Sequence, residues 1–111
     1  FLWIALSLIG LGTAGAQTTP NKNKKVEFAV GGNCGQCKAR IEKAAYSVKG
    51  VKSANWNINS GNITLIIDER KCSESDVQKA IAKVGHDAGK ERADDAVYNK
   101  LHHCCLYERL P

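Results

Sequence analysis

The chain has 111 residues, with 16 Lys and Arg against 11 Asp and Glu, and a formal net charge of +5. A chain of this length has room for a single small domain with a modest core. The basic side chains are interspersed with acids. This is typical of a solvated mixed-charge surface and disfavours a dedicated nucleic-acid-binding stripe.

An apolar leader occupies the N-terminal end. Residues 1–12 are almost entirely apolar, and Ala14-Gly15-Ala16 follows, a sequence of the kind that signal peptidase cleaves. A membrane-spanning helix needs about 20 apolar residues, so this run is too short. We expect a signal peptide over residues 1–16, truncated at its start, and a mature protein from Gln17; an uncleaved anchor is the alternative. The predicted location is therefore periplasmic or secreted, with no membrane association after cleavage and no nucleic-acid partner.

The first half of the mature chain predicts a strand followed by a helix. Residues 17–24 are polar and aperiodic, as in a linker. Val26, Phe28 and Val30 then alternate with more polar residues, which predicts a half-buried strand. Turn residues at 31–33 end this strand, and apolar positions recur at helical spacing from about residue 35 to residue 48.

The second half of the mature chain predicts two strands, a second helix and a weak last strand. Alternating patterns predict strands over 53–58 and 63–68, separated by hairpin-turn residues at 59–62. A second helix begins at Ser73 with a capping-box pattern and ends near Gly85, and 86–92 is a weak edge strand. The resulting order predicts an α+β fold, a ferredoxin-like βαββαβ sandwich, over residues 25–92. Residues 93–111 form an extension, with a third helix from Asp94 to about Cys105.

The five cysteines are spaced for a metal or redox site rather than for disulfide staples. Cys34 and Cys37 form a C-x-x-C, Cys72 stands alone, and Cys104 and Cys105 are adjacent. Cys34 lies in the loop after the first strand and Cys37 in the first helical turn, where the helix dipole favours thiolates. Such a pair binds soft Cu(I), and Hg(II) behaves similarly, whereas tetrahedral Zn(II) needs two further ligands.

The region from Val26 to about Arg92 resembles the heavy-metal-associated domain family, which includes copper chaperones, repeats of metal-transporting P-type ATPases and the periplasmic mercury-binding protein. The family carries G-M-x-C-x-x-C between its first strand and first helix, and residues 31–37 read GGNCGQC. The resemblance implies that Cys34 and Cys37 are the metal ligands. It also implies an activity of carrying or sequestering metal, without catalysis.

Two positions depart from the family pattern. Gly32 replaces a methionine that plugs the core beneath the metal loop in the family, so we expect a looser loop or another group covering it. His86 stands where relatives more often carry an aromatic residue or a lysine. Its imidazole is a candidate third ligand or a hydrogen-bond donor to a cysteine sulfur, and a partly exposed surface histidine is the alternative.

The run of His102, His103, Cys104 and Cys105 is unusual in a final helix. Cys104 and Cys105 are candidate additional ligands if that helix folds over the metal loop, although adjacent helical residues point about 100° apart. A tail cysteine filling the gap at Gly32 is another possibility. The alternatives are Cys105 buried on the Val97–Leu101 stripe, or a tail disulfide, with Cys72 as one partner. Cys72 itself is predicted to be a buried core thiol, Trp56 an inward-facing residue, and Tyr98 and Tyr107 docking residues for the tail.

These observations predict an exported monomer that binds a soft metal ion for transfer or sequestration, with Cu(I) favoured over Hg(II) or Zn(II). The expected partner is a metal-donating or metal-accepting protein such as a metal-transporting ATPase. A basic surface at Lys38, Arg40 and Lys43 would dock an acidic patch on that partner. No catalytic constellation is present, so we predict that the chain is not an enzyme.

The alternative function is a periplasmic thiol–disulfide redox protein that uses the same C-x-x-C. Proteins of the thioredoxin type carry a cis-proline loop beside their cysteines. Here the prolines are Pro20, in the linker, and Pro111, the last residue. The order of elements also favours the metal-binding module.

Overall fold

The computed structural model describes residues 20–110, so the predicted signal peptide and the start of the linker lie outside the described residues. The elements are β1 (Lys24–Ala29), α1 (Gly35–Tyr46), β2 (Val51–Trp56), β3 (Asn62–Ile67), α2 (Glu74–Lys83), α3 (Asp95–Asn99) and a 3-10 turn (His103–Cys105). Within this described part, no helix has the length and apolarity required to cross a bilayer.

The three strands form one antiparallel sheet in the order β1-β3-β2. Their inward residues alternate as predicted, and Ile63 and Leu65 of the central strand β3 are fully buried. Helix α1 packs against β2 and against α2. Ile41 of α1 and Ile81 of α2 complete a single core between helices and sheet, which confirms the predicted α+β ferredoxin-like class.

Local sequence signals set the start of α2. The Ser73 hydroxyl accepts a hydrogen bond from the Asp76 backbone N–H at 3.2 Å, and the Asp76 carboxylate accepts from the Ser73 N–H at 2.9 Å. This reciprocal capping box satisfies two backbone donors that the first turn of a helix leaves unpaired. The predicted start of the second helix is confirmed.

The predicted fourth strand, residues 86–92, is reduced to isolated bridges. Ala88 pairs with Val30 and with Glu91, which places the segment beside β1, where a fourth strand of this fold belongs. A pleated strand would alternate its side chains between two faces, but His86, Asp87 and Ala88 are all buried. Gly89, at a φ of +55°, then turns the chain.

The second strand ends earlier than predicted. Its last residue is Trp56, and Ile58 is 48% exposed instead of facing inward. The Asn57 side-chain oxygen accepts hydrogen bonds from the backbone N–H groups of Asn59 and Ser60, at 2.8 and 3.0 Å. This asparagine turn competes with further strand pairing.

The C-terminal extension is mostly irregular, and the prediction of one helix from Asp94 to Cys105 is wrong. Helix α3 has five residues, and His102 is extended, with φ −57° and ψ 142°, before the 3-10 turn. Two apolar positions, Val97 and Leu101, are too few to stabilise a longer helix. Leu101 instead packs against Gly85 at the end of α2.

Candidate metal centre

Cys34 and Cys37 lie at the entrance to α1, as predicted. Cys34 is the N-cap residue, with extended backbone angles, and its side chain is half-buried. Cys37, in the first turn, is fully buried, and its thiol donates to the Asn33 side-chain oxygen at 3.4 Å. The two Sγ atoms are 3.4 Å apart with no bond between them. The pair therefore faces a common point with one sulfur accessible and one enclosed.

Two further sulfurs from the tail reach this pair. The Sγ atoms of Cys104 and Cys105 lie 3.7 and 3.3 Å from that of Cys34, and 3.8 Å from one another. Cys34, Cys104 and Cys105 form a group whose ligand atoms lie within 4.8 Å of each other. The expectation that adjacent tail cysteines point apart assumed a continuing helix. A single 3-10 turn replaces that helix, and the Sγ atoms of both cysteines lie close to that of Cys34.

The thiols in this cluster differ strongly in acidity. Burial raises the pKa of Cys34, but the Cys37 backbone N–H and the thiols of Cys105, Cys37 and Cys104 outweigh it and lower that pKa to about 7. Burial raises the pKa of Cys37 to about 12, and burial together with the Cys34 sulfur raises that of Cys104 to about 11. Of these three thiols, Cys34 is therefore the one that ionises first.

Tyr107 seats the tail against the metal loop. Its ring packs on Gly31, where an added Cβ would lie only 2.3 Å from a ring carbon. Its hydroxyl donates to the Gly85 carbonyl at 2.8 Å and accepts from the Asp87 N–H at 2.7 Å. The Tyr98 hydroxyl donates to the Tyr107 carbonyl at 2.6 Å. Both tyrosines dock the tail, as the sequence predicts.

An ion pair between Arg109 and Asp87 also holds the tail against the domain. The Arg109 guanidinium donates two hydrogen bonds of 2.8 Å to the carboxylate of Asp87, whose side chain is 2% exposed. Arg109 also donates to the Ala93 carbonyl at 2.7 Å and lies 4.4 Å from the centre of the Tyr98 ring. Bidentate pairs of this kind fix orientation as well as distance. Nothing in the sequence pattern marked Asp87 and Arg109 as partners, since they are 22 residues apart.

Comparison with known proteins identifies the domain that carries the C-x-x-C loop. Residues 27–87, more than half of the chain, match the heavy-metal-associated domain. The chain belongs to the heavy-metal-associated domain family. The match includes the C-x-x-C loop and ends before the tail, so Cys104 and Cys105 lie outside the family's own segment.

Individual relatives include metal-handling proteins. Over 57 residues the chain is 35% identical to the copper chaperone CopZ of Staphylococcus aureus, covering 51% of this chain and 84% of the chaperone. The N-terminal domain of a potential copper-translocating P-type ATPase from Bacillus subtilis, solved in its Cu(I)-loaded state, aligns with a TM-score of 0.58 and 29% identity. That alignment covers 68% of this chain and 95% of the domain. Oxidized MerP from Ralstonia metallidurans CH34 aligns with a TM-score of 0.58 and 25% identity, covering 60% and 94%.

The Trp56 ring packs against Gly32, the position at which the family pattern has a methionine. A Cβ at Gly32 would lie 3.0 and 3.1 Å from two carbons of the Trp56 ring and 3.1 Å from the Cys37 Cβ. The fully buried indole donates its N–H to the Val30 and Gly61 carbonyls, at 3.2 and 3.1 Å. The loop is therefore covered by a residue of β2, not by a tail cysteine.

His86 supports the metal loop from below. It is fully buried, so the alternative of a surface histidine is wrong. One ring nitrogen, Nδ1, lies 2.7 Å from the Gly31 carbonyl, and Nε2 lies 3.2 Å from the Arg40 guanidinium. A carbonyl only accepts and a guanidinium only donates, so Nδ1 carries the proton. Burial lowers the His86 pKa and favours this neutral form. With both nitrogens engaged, the structure does not bring His86 into the cysteine cluster.

Cys72 and the two tail histidines are not part of the group of close sulfurs. Cys72 is a buried thiol near Gly50 and not part of a tail disulfide, which confirms its prediction as a core residue. Cys105 is fully buried, and its Sγ lies 3.3 Å from that of Cys34. His102 and His103 are exposed, and their ring centres lie 4.5 Å apart with the planes tilted by 30°.

Proposed function

We propose that this chain is an exported metal-binding protein that holds one soft ion, Cu(I) in the first instance, between Cys34 and Cys37. Hg(II) and Zn(II) are the next candidates. The observation that carries the proposal is the pair of unbonded sulfurs 3.4 Å apart at the start of α1, in a chain of the heavy-metal-associated family. A soft thiolate pair suits Cu(I), and the helix dipole stabilises its negative charge.

The unequal exposure of the two sulfurs supports stepwise transfer. Cys34 is half-buried and Cys37 fully enclosed, so a partner's thiolate meets the ion on the Cys34 side. As the partner's sulfur bonds to the ion, one of the chain's own thiolates dissociates and takes up a proton, and no electron is transferred. The proposed partner is a metal-donating or metal-accepting protein, such as a metal-transporting ATPase, that meets this chain as a monomer.

The proposed docking surface differs from the one expected from the sequence. Lys38 is already engaged, because its ammonium contacts the Glu42 carboxylate at 2.6 Å and the Trp56 carbonyl at 2.9 Å. A cleft between α1 and α2 is more strongly basic. It is lined by Arg40, Lys43, Lys79 and Lys83, and Asp76 is the acidic residue among its lining. We propose this cleft as the contact for an acidic patch on the partner, which would give salt-dependent association.

Copper titration of the reduced protein under anaerobic conditions tests the binding site. We expect one equivalent of Cu(I) to bind in competition with a chromophoric chelator. In Cys34→Ser the affinity should fall at least about tenfold, equivalent to ~1.4 kcal/mol. Cys72→Ser is the matched control, because it removes a buried thiol outside the cluster. Binding well below one equivalent, or unchanged affinity in Cys34→Ser, would contradict the proposal.

Export is tested separately. Expression of the gene in a bacterial host with an intact secretory pathway, followed by cell fractionation and N-terminal sequencing, should give a periplasmic product that begins at Gln17. A product retained in the cytoplasm with residues 1–16 attached would contradict export without affecting metal binding.

The redox function remains the second candidate, because a Cys34 pKa of about 7 beside a second thiol also suits disulfide exchange. Insulin reduction with glutathione as electron donor distinguishes the two functions. We expect no turnover above that of Cys34→Ser, and turnover comparable to that of a thioredoxin would favour the redox function.

A further inference from the structure

We propose that Cys104 and Cys105 are metal ligands together with Cys34, so that the C-terminal tail turns the two-cysteine loop into a site of at least three thiolates. The inference rests on the proposed metal-binding function and deepens it. The bound ion would then have a coordination number of three or four, instead of the two that Cys34 and Cys37 alone provide.

The sulfur separations match higher coordination. With metal–sulfur bonds of ~2.3 Å, two ligands lie ~4.6 Å apart in a linear site, ~4.0 Å in a trigonal one and ~3.8 Å in a tetrahedral one. Cys104 is 3.7 Å from Cys34 and 3.8 Å from Cys105. The Cys34–Cys105 separation of 3.3 Å requires an opening of about half an ångström. All three separations are much shorter than the span of a linear site.

Hydrogen bonds between the tail and the domain hold the tail cysteines beside the metal loop. Tyr107, two residues after Cys105, is fixed by hydrogen bonds to Gly85 and Asp87, and Arg109 by its bidentate pair with Asp87. The side-chain amide of Asn33 also donates to the Leu106 carbonyl at 3.4 Å, which joins the metal loop to the tail directly. Ligands that are already positioned lose less conformational entropy when an ion binds.

The metal loop is shaped to accept the tail. The absence of a side chain at Gly31 lets the Tyr107 ring approach the backbone, since any Cβ there would overlap the ring. Cys105 is fully buried beside Cys34 while Cys104 stays partly accessible. A bound ion would thus be enclosed on the tail side and approachable past Cys34 and Cys104.

Retention of the ion follows from this arrangement. An ion held by three or more thiolates is released only when several bonds are exchanged or when the tail moves away. The ligand class is therefore a soft or borderline ion that accepts three or four thiolates, such as Cu(I) or Zn(II). A protein of this kind suits sequestration, with delivery confined to partners that displace the tail.

X-ray absorption of the Cu(I)-loaded chain, compared with the double variant Cys104→Ser/Cys105→Ser, tests the inference. We expect three or more sulfurs around copper in the unmodified chain, two in the double variant, and at least a tenfold loss of affinity in a chelator competition. Cys72→Ser is again the matched control and should behave as the unmodified chain does.

The outcomes separate this inference from the proposed function. Two sulfurs in the unmodified chain, or equal coordination numbers in the chain and the double variant, would overturn the tail-ligand inference and leave the C-x-x-C site intact. Failure of the unmodified chain to bind copper would overturn both. The coordination number of the unmodified chain alone decides the inference if the double variant does not fold.

Discussion

At the scale of single residues, Gly32 and Trp56 show how a departure from the family pattern is compensated. The sequence reveals the missing methionine, but it does not reveal what replaces it, because the replacement comes from a strand 24 positions away and depends on side-chain orientation. In the structure the Trp56 ring occupies that space, within 3.0–3.1 Å of where a Gly32 side chain would begin. A side chain at position 32 would therefore meet the indole from its first carbon onward.

Restoring the family methionine should destabilise this chain. Gly32→Met forces extra volume against Trp56 and the Cys37 Cβ, and overpacking of this kind costs about 1–3 kcal/mol. We expect that decrease in the free energy of unfolding, measured by urea titration. Gly35→Met is the matched control, since a Cβ at Gly35 meets nothing within 4 Å, and its effect should stay within about 0.5 kcal/mol.

The same experiment in a Trp56→Phe background tests the cause. Phenylalanine lacks the part of the indole that lies against Gly32, so the cost of Gly32→Met should be smaller there. An equal cost in both backgrounds would show that Trp56 does not occupy the methionine's place.

At the scale of elements, sequence periodicity predicted what depends on local pattern and missed what depends on distant contacts. Strand β1, helix α1 and the α2 capping box follow from alternation, helical spacing and cap chemistry. The third helix failed because only two apolar positions supported it. The tail's path is set instead by the contacts of Tyr107 and Arg109 with the Gly85–Asp87 segment, which no local pattern encodes.

Removing Arg109 should loosen the tail without substituting any of the cysteines. Arg109→Ala removes the bidentate partner of the buried Asp87 carboxylate, which would still have the Arg92 guanidinium at 4.0 Å. Breaking a buried pair costs about 3–5 kcal/mol. Because Arg92 remains and Arg109 is 17% exposed, we expect a smaller loss. The alkylation rate of Cys105 is measured by mass spectrometry under native conditions. It should rise about tenfold for each ~1.4 kcal/mol by which the free energy of opening the tail falls. Copper affinity should fall in parallel.

Arg70→Ala is the matched control for this change. Arg70 pairs with the buried carboxylate of Asp68 at 2.9 Å, away from the tail, so its loss should not alter the reactivity of Cys105. Unchanged alkylation of Cys105 in Arg109→Ala would contradict the role of the ion pair in fastening the tail.

At the scale of the whole molecule, one buried carboxylate joins the family domain to the extension. Asp87 is the last residue of the segment that matches the heavy-metal-associated family, and its oxygens accept hydrogen bonds from Ala93, Arg109 and Leu110. Burial raises the pKa of Asp87, but Arg109 and the two backbone N–H groups outweigh it, and the net pKa is lowered. The charged carboxylate is therefore the form that the folded chain prefers.

Acid should release this junction, and the direction follows from the lowered pKa. A carboxyl whose pKa is lower in the folded state stabilises the fold above its unfolded pKa of about 3.9, and that contribution is lost as pH falls through the folded value. The metal-free, reduced chain should thus lose stability below about pH 4.

In Asp87→Asn, urea unfolding should show a lower stability at pH 7 and a shallower decline in acid. Asp95→Asn removes a carboxylate that meets the same Arg109 at 3.2 Å but is 79% exposed, so it should keep the unmodified slope. Equal slopes in all three proteins would mean that Asp87 is not the acid-sensitive link between domain and tail.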